Sequence, residues 1–254
     1  MSPSVVVSDI TKHYGRVVAL TELSFSVAPG SIYGLIGPNG AGKTTTLAIL
    51  GGLLQPTAGR ASILGIEVQP NRRELVSKVG FASTQFSFFD YLTGRELLLA
   101  FGLLHGLGST ETKRRMDDLL ELFDLEAAAG HYLYQYSQGM RQKLGVACAL
   151  IHAPEVLLLD EPFLGLDSTS VYRLVRTLRK LAASGRTILL SSHELALVER
   201  LADRVGILHE GNLKREIELA PAGGRQGGAG RESGLESTLW EVVGAPEMKE
   251  LSWI

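Results

Sequence analysis

The run Gly37-Pro38-Asn39-Gly40-Ala41-Gly42-Lys43-Thr44-Thr45 has the spacing G-x-x-x-x-G-K-[ST], and each matched residue type has a use beside a phosphate. Glycines let the backbone curl until several N–H groups point at one anion. Lys43 brings a mobile positive charge to the outer phosphates, and the Thr44 hydroxyl is an oxygen ligand for magnesium. A helix over residues 43–54 aims the positive end of its dipole at the same place. Asn39, Gly40, Gly42, Lys43, Thr44 and Thr45 are therefore the expected phosphate-binding residues of a nucleotide site.

A second group follows in Val156-Leu157-Leu158-Leu159-Asp160-Glu161-Pro162, an apolar strand ending in two carboxylates. Asp160 is placed to hold magnesium through water, and Glu161 to polarise an attacking water as general base. A strand that ends in an acidic turn is common in isolation. The phosphate loop upstream makes this one a candidate hydrolytic pair.

Both groups need a scaffold, and the sequence supplies one. Residues 31–36 read as a buried strand running into the phosphate loop, and 45–50 as the helix leaving it. The first part of the chain is β-rich, with short apolar or β-branched runs at 5–9, 24–27, 31–36 and 61–64 separated by Gly, Pro, Asn and Asp. From about 94 to 151 helical spacing takes over, as in Leu119, Leu122 and Phe123, which suggests a helical subdomain inserted in the main one. Strands at 156–159, 187–191 and 205–208 then alternate with helices at 168–181 and 195–201, the βα pattern of a parallel sheet. Residues 221–234 lack bulky apolar side chains and read as a linker. Beyond it Leu235, Leu239, Trp240 and Val243 fall at helical spacing, as a small docking helix would place them.

Composition narrows the function classes. A net charge of −2 gives no electrostatic case for a nucleic-acid partner. The single cysteine, Cys148, sits in an apolar run and excludes an internal disulfide, and the six histidines show no metal-ligand spacing. The first residues lack the basic start and apolar core of a signal peptide. The longest strongly apolar run, 97–104, falls far short of the roughly 18 to 20 residues that span a bilayer. The expectation is a cytoplasmic protein with no direct membrane insertion, reaching any membrane through a partner.

The order of these motifs resembles the ATP-binding subunits of ABC transporters over about residues 4–215. Tyr14, in Lys12-His13-Tyr14-Gly15, matches the aromatic residue on which the family stacks adenine. Gln85 matches the glutamine that touches magnesium and the attacking water, Asp167 the loop that crosses to the opposite subunit, and His193 the histidine at the γ-phosphate. Singly, each has a plainer reading: an exposed turn aromatic, a solvated amide, a helix cap before Ser168, a strand-end histidine. Tyr136-Ser137-Gln138-Gly139-Met140 stands where the family commonly has Leu-Ser-Gly-Gly-Gln. Tyr136, Gln138 and Met140 depart from that pattern, which puts turnover in question, while Ser137 and Gly139 match the γ-phosphate contacts. A similar serine-x-glycine-methionine form occurs in the branch of drug-, sodium- and haemolysin-type exporters. The end of the chain, Leu235-Glu236-Ser237-Thr238-Leu239-Trp240, resembles the short acidic-apolar helix that often closes such subunits.

The resemblance implies an α/β fold, a P-loop NTPase of the ABC ATPase type. Its RecA-like core would carry an antiparallel β subdomain and an α-helical subdomain inserted at about 86–152, with 216–254 as Gly-rich linker and helical tail. It implies hydrolysis of ATP with Mg2+, using Glu161, His193 and Gln85 as catalytic residues and Thr44, Gln85 and Asp160 at the metal. Tyr14 and the phosphate loop would bind nucleotide on one subunit, and Ser137 and Gly139 would complete the site from a second, in a homodimer or heterodimer. The implied partner is a transmembrane permease on a separate chain, its coupling helix received near Phe86, Phe88, Phe89 and Tyr91, with this subunit peripheral on the cytoplasmic face. Two other readings stay open: a force-transmitting regulatory module that moves no solute, and a soluble ABC ATPase acting on nucleic acid or the ribosome. The single phosphate loop and the lack of sustained heptads weigh against the last.

Overall fold

The computed structural model describes residues 2–70, 72–83, 90–219 and 234–244. In chain order these form β1 (Val5–Tyr14), β2 (Val17–Val27), β3 (Ile32–Ile36), α1 (Lys43–Leu50), β4 (Ala58–Ile63), β5 (Ile66–Glu67), α2 (Arg73–Val76) and β6 (Val79–Ala82). Then come α3 (Gly94–Leu104), α4 (Ser109–Leu122), a 3-10 turn (Leu133–Gln135), α5 (Gln138–Leu150), β7 (Val156–Asp160), α6 (Ser168–Ala183), β8 (Thr187–Ser191), α7 (Leu195–Leu201), β9 (Arg204–His209), β10 (Asn212–Glu218) and α8 (Gly234–Val243).

Two sheets result. The hairpin of β1 and β2 joins β4 and β5 in an antiparallel sheet ordered β2-β1-β4-β5. The other is ordered β10-β9-β3-β8-β7-β6, parallel except for β10, which pairs antiparallel with β9. Every residue of β3, β7 and β8 is buried, as strands covered on both faces must be.

Alternation along those strands divides the core in two. Leu157, Leu159, Ile188 and Leu190 point to the side covered by α5, α6, α7 and α8. Val156, Leu158 and Leu189 point to the other side, where α1 and the antiparallel sheet pack through Leu47, Leu50, Val7 and Ile63. The antiparallel sheet is thus an outer layer over α1, and the helices α3, α4 and α5 are inserted between β6 and β7, as the fold expectation has it. α3 begins with a capping box: Glu96 N–H donates to Thr93 Oγ1 at 3.2 Å, and Thr93 N–H donates to Glu96 Oε2 at 2.8 Å.

The element ends differ from the sequence reading where packing outweighs local pattern. The first hairpin is far longer than the runs at 5–9 and 24–27, because polar residues alternate along its exposed portion. β6 and β10 had no sequence prediction: β6 is only four residues long, and β10 is a half-exposed edge without a strong apolar run. β10 continues to Glu218, past the expected boundary at 215. The 43–54 helix stops at Leu50, where Gly51 and Gly52 follow. Helix 195–201 and strand 187–191 lie where the sequence put them. Most of the linker read at 221–234 lies outside the described residues, and α8 forms just beyond it.

Candidate functional site

Parallel strands end together, so the loops after β3, β7 and β8 meet at one edge of the sheet. The phosphate loop leaves β3 with Gly37, Gly40 and Gly42 all at positive φ. Gly42 is the most constrained: its φ is 106°, and an added Cβ would come within 2.8 Å of the Ala19 carbonyl oxygen and against the Leu20 side chain. That contact seats the loop against β2, whose pairing with β1 through Val17 and Tyr14 carries Tyr14 on the same hairpin. Tyr14 is 46% exposed, and the Lys12 ammonium lies over its ring, 5.2 Å from the centroid.

Lys43 is buried and folds back into the loop, its Nζ donating to the carbonyl oxygens of Gly37 at 2.7 Å and Pro38 at 3.1 Å. Burial lowers its pKa, and the nearby Glu161 and Asp160 carboxylates oppose that shift. Asn39, Gly40 and Thr44 are exposed at the loop surface. Thr44 Oγ1 donates to Asp160 Oδ1 at 3.2 Å, joining the phosphate loop to the end of β7.

β8 lies between β3 and β7, and it does more than fill space. Ser191 sits in register with Asp160. Its hydroxyl donates to Asp160 Oδ1 at 2.6 Å and accepts from the Glu161 N–H at 3.0 Å. Glu161 has φ 48°, in the left-handed region that non-glycine residues rarely occupy, and such backbone persists only where neighbours hold it. Here Ser191 holds its N–H, and Gln142 Nε2 donates to its carbonyl at 3.1 Å. The turn re-aims the side chain: His193 Nδ1 lies 2.8 Å from Glu161 Oε2, and the His193 N–H donates to the same oxygen at 3.3 Å. An ionised carboxylate only accepts, so Nδ1 carries the proton in this pair.

Thr44, Asp160, Glu161, Lys43 and His193 are therefore brought together from three loops. Gln85 lies outside the described residues, as do Phe86, Phe88 and Phe89. Tyr91 is exposed, its ring 6.5 Å from that of Tyr134. Ser137 and Gly139 begin α5, where Ser137 Oγ accepts from the Met140 N–H at 3.2 Å as the helix cap. Among the described residues neither bonds to the phosphate loop, and Gly139 instead lies against the Gly165 carbonyl. Asp167 caps α6, accepting from the Ser170 N–H at 2.9 Å. Sequence reasoning assigned no role to Ser191 or Gln142. A hydroxyl ending the otherwise apolar run of β8 was the available signal for Ser191, and Gln142 carried none.

The donor set suits a divalent cation of the magnesium kind. Thr44 Oγ1 and Asp160 offer hard oxygen ligands beside a loop shaped for phosphate. No group of three His, Cys, Asp or Glu residues forms a metal cage among the described residues, and magnesium shared with substrate phosphates does not require one.

Residues 20–164 match the family model described as ABC transporter. The bacitracin transport ATP-binding protein of Bacillus licheniformis is 40% identical, over 85% of this chain and 70% of its own length. A daunorubicin resistance ATP-binding protein of Streptomyces coeruleorubidus is 38% identical, over 84% of this chain and 67% of its own. Among solved structures, an ATP-binding subunit of an ABC transporter superposes with TM-score 0.79 at 34% identity, covering 85% of this chain and 90% of that one. A dimeric ATP-binding cassette in a post-hydrolysis state with ADP and Pi superposes with TM-score 0.78 at 29% identity, covering 85% and 99%.

Proposed function

The chain belongs to the ABC transporter family as an ATP-binding subunit, and from that premise we propose that it is the ATP-hydrolysing motor of a drug-type exporter. The observation that carries this reading is the Glu161 carboxylate, held by His193 at 2.8 Å beside an Asp160 that reaches Thr44 at 3.2 Å. It is an arrangement in which one carboxylate can sit at a metal while its neighbour meets a water.

The nucleotide would stack its base on Tyr14, and its phosphates would displace the Gly37 and Pro38 carbonyls as partners of the Lys43 ammonium. The phosphate-loop N–H groups and the α1 dipole add fixed positive potential there. Thr44, Asp160 and Gln85 would hold magnesium, which supplies charge neutralisation on the outer phosphates when bound. Glu161 orients the attacking water and accepts its proton, and His193 fixes the carboxylate that does so. The two His193 contacts to Glu161 Oε2 keep that carboxylate from swinging away before the water is bound. Ser137 and Gly139 of a second subunit would close over the γ-phosphate, since among the described residues of one chain neither bonds to the phosphate loop. The dimeric form of a solved relative supports this reading.

No helix of the described residues is long and apolar enough to cross a membrane. Relatives named for bacitracin transport and daunorubicin resistance favour a permease on a separate chain and an outward direction of drug transport. The subunit would then lie on the cytoplasmic face of the membrane, as a motor unit over residues 4–215 with its helical subdomain at about 86–152. The decisive experiment replaces Glu161 by Gln. ATP binding should persist while hydrolysis falls by about a hundredfold or more. Hydrolysis at the wild-type rate would remove Glu161 as the base.

A further inference from the structure

Lys12 and Tyr14 stand at alternate positions near the end of β1, so their side chains leave the same face of the strand. The Lys12 ammonium, 5.2 Å from the centroid of the Tyr14 ring, is within cation–π reach of it. The same ammonium donates to the Gln55 carbonyl oxygen at 2.7 Å. Among the described residues no carboxylate pairs with this half-buried lysine, so the ring and the carbonyl are its partners. The mechanism above gives it no part.

Gln55 connects this contact to the phosphate loop. Residues 51–57 follow α1, the helix that begins at Lys43. Thr57 holds that segment to β1 on either side of Lys12: its N–H donates to the Thr11 carbonyl at 2.8 Å, and its Oγ1 accepts from the His13 N–H at 3.0 Å. Lys12 thus bridges the ring expected to meet the base and a segment leading out of the loop expected to meet the phosphates. Base and phosphates are two ends of one molecule, so a fixed spacing between their sites favours binding. A partly exposed tyrosine left free loses rotamer freedom when a base stacks on it. A ring already pinned loses less.

We propose that Lys12 is a positioning residue for the nucleotide base. Its ammonium covers one face of the Tyr14 ring and fixes that ring against the 55–57 segment, and the base stacks on the opposite face. The inference rests on the reading that Tyr14 stacks the base. Lys12 acts through Tyr14, so removing its charge lowers affinity for a ligand that carries a base and spares one that does not.

The test is calorimetry on the full chain carrying Glu161→Gln, titrated with MgATP and with magnesium tripolyphosphate, which has the phosphates without the base. Lys12→Met keeps the aliphatic stem and removes the charge. It should weaken MgATP binding about three- to fivefold and leave tripolyphosphate binding unchanged. In a Tyr14→Ala background the same substitution should have no effect on ATP affinity, because the contact it removes is already gone. Lys12→Arg keeps a cation for the ring and should bind ATP within about twofold of the parent. An ATP affinity unchanged in Lys12→Met overturns the proposal. So does an equal loss for tripolyphosphate, a loss that persists without the Tyr14 ring, or an arginine variant as weak as the methionine one. Should Lys12→Met fail to fold, Lys12→Gln, which retains a donor for the Gln55 carbonyl, decides by the same readings. A Tyr14→Ala chain that binds ATP as tightly as its parent overturns the stacking reading itself, and this inference with it.

Discussion

Ser191 holds Asp160 through a 2.6 Å hydrogen bond between neighbouring parallel strands, and the same hydroxyl accepts from the N–H of Glu161 at 3.0 Å. One side chain thus fixes the carboxylate expected at the metal and the backbone of the carboxylate expected to act as base. Both strands are buried throughout, so water is poorly placed to replace those bonds.

Ser191→Ala should therefore cost about 1–3 kcal/mol of stability, since it leaves the Glu161 N–H without its acceptor. It should also lower kcat by about tenfold or more with little change in ATP affinity, because the lost bonds orient the base and leave the phosphate loop intact. Thermal melts and steady-state ATPase kinetics measure the two effects. A stability loss with kcat unchanged would make Ser191 purely structural.

Gly139 has no room for a side chain, because a Cβ there would run into the Gly165 carbonyl. Gly139→Ala should push the start of α5 off the turn before α6, at a cost of about 1–3 kcal/mol. Monomeric ATP binding, measured by calorimetry, should survive. ATP turnover should fall several-fold, roughly in line with a displaced partner contact. Loss of monomeric binding would mean that this glycine serves its own chain's nucleotide.

Lys43 makes its bonds to the loop's own carbonyls at 2.7 and 3.1 Å, so it can change partners without leaving the site. Lys43→Met keeps the bulk and removes the charge. ATP affinity should drop by about a hundredfold, with the chain still folded by circular dichroism. Affinity within a few-fold of wild type would place the phosphates elsewhere.

His105 and His152 stack with ring centroids 3.7 Å apart and planes 4° from parallel, where α3 and α5 approach each other. Burial pushes the His152 pKa down to about 4, helped by His105 and by the charge of Arg115, while the bond to the Val79 carbonyl opposes the shift. Burial lowers His105 as well. The unfolded chain takes up these protons first. The stabilisation is therefore complete above about pH 6.5 and is lost as pH falls toward 4. Melting temperatures measured from pH 7 to 4 should decline less steeply in the His105→Phe, His152→Phe double variant. Equal slopes would show that other groups govern the acid limb.

Much of this site was legible in the sequence because it is built from short contiguous runs. The phosphate loop needs glycines at fixed spacing, and the β7 strand needs apolar residues ending in carboxylates. Such local requirements leave a pattern that survives without coordinates. The strand at 187–191 and helix at 195–201 were legible for the same reason, through buried apolar runs and helical spacing. β10 was not, since a half-exposed edge strand is held by its neighbour more than by its own composition.

The sequence by itself determined the chemistry available: a lysine and a threonine in a phosphate loop, adjacent carboxylates at a strand end, and a histidine further on. Only the tertiary structure decided how they meet. The strand order β3-β8-β7 puts Ser191 between the phosphate loop and the carboxylates, and the left-handed turn at Glu161 aims its carboxylate at His193. It also set Trp240 on the lining of one cavity with Asn39 and His193. These relations join residues far apart in the chain, and packing between elements fixes them. Local spacing carries no information about which strand will lie between two others.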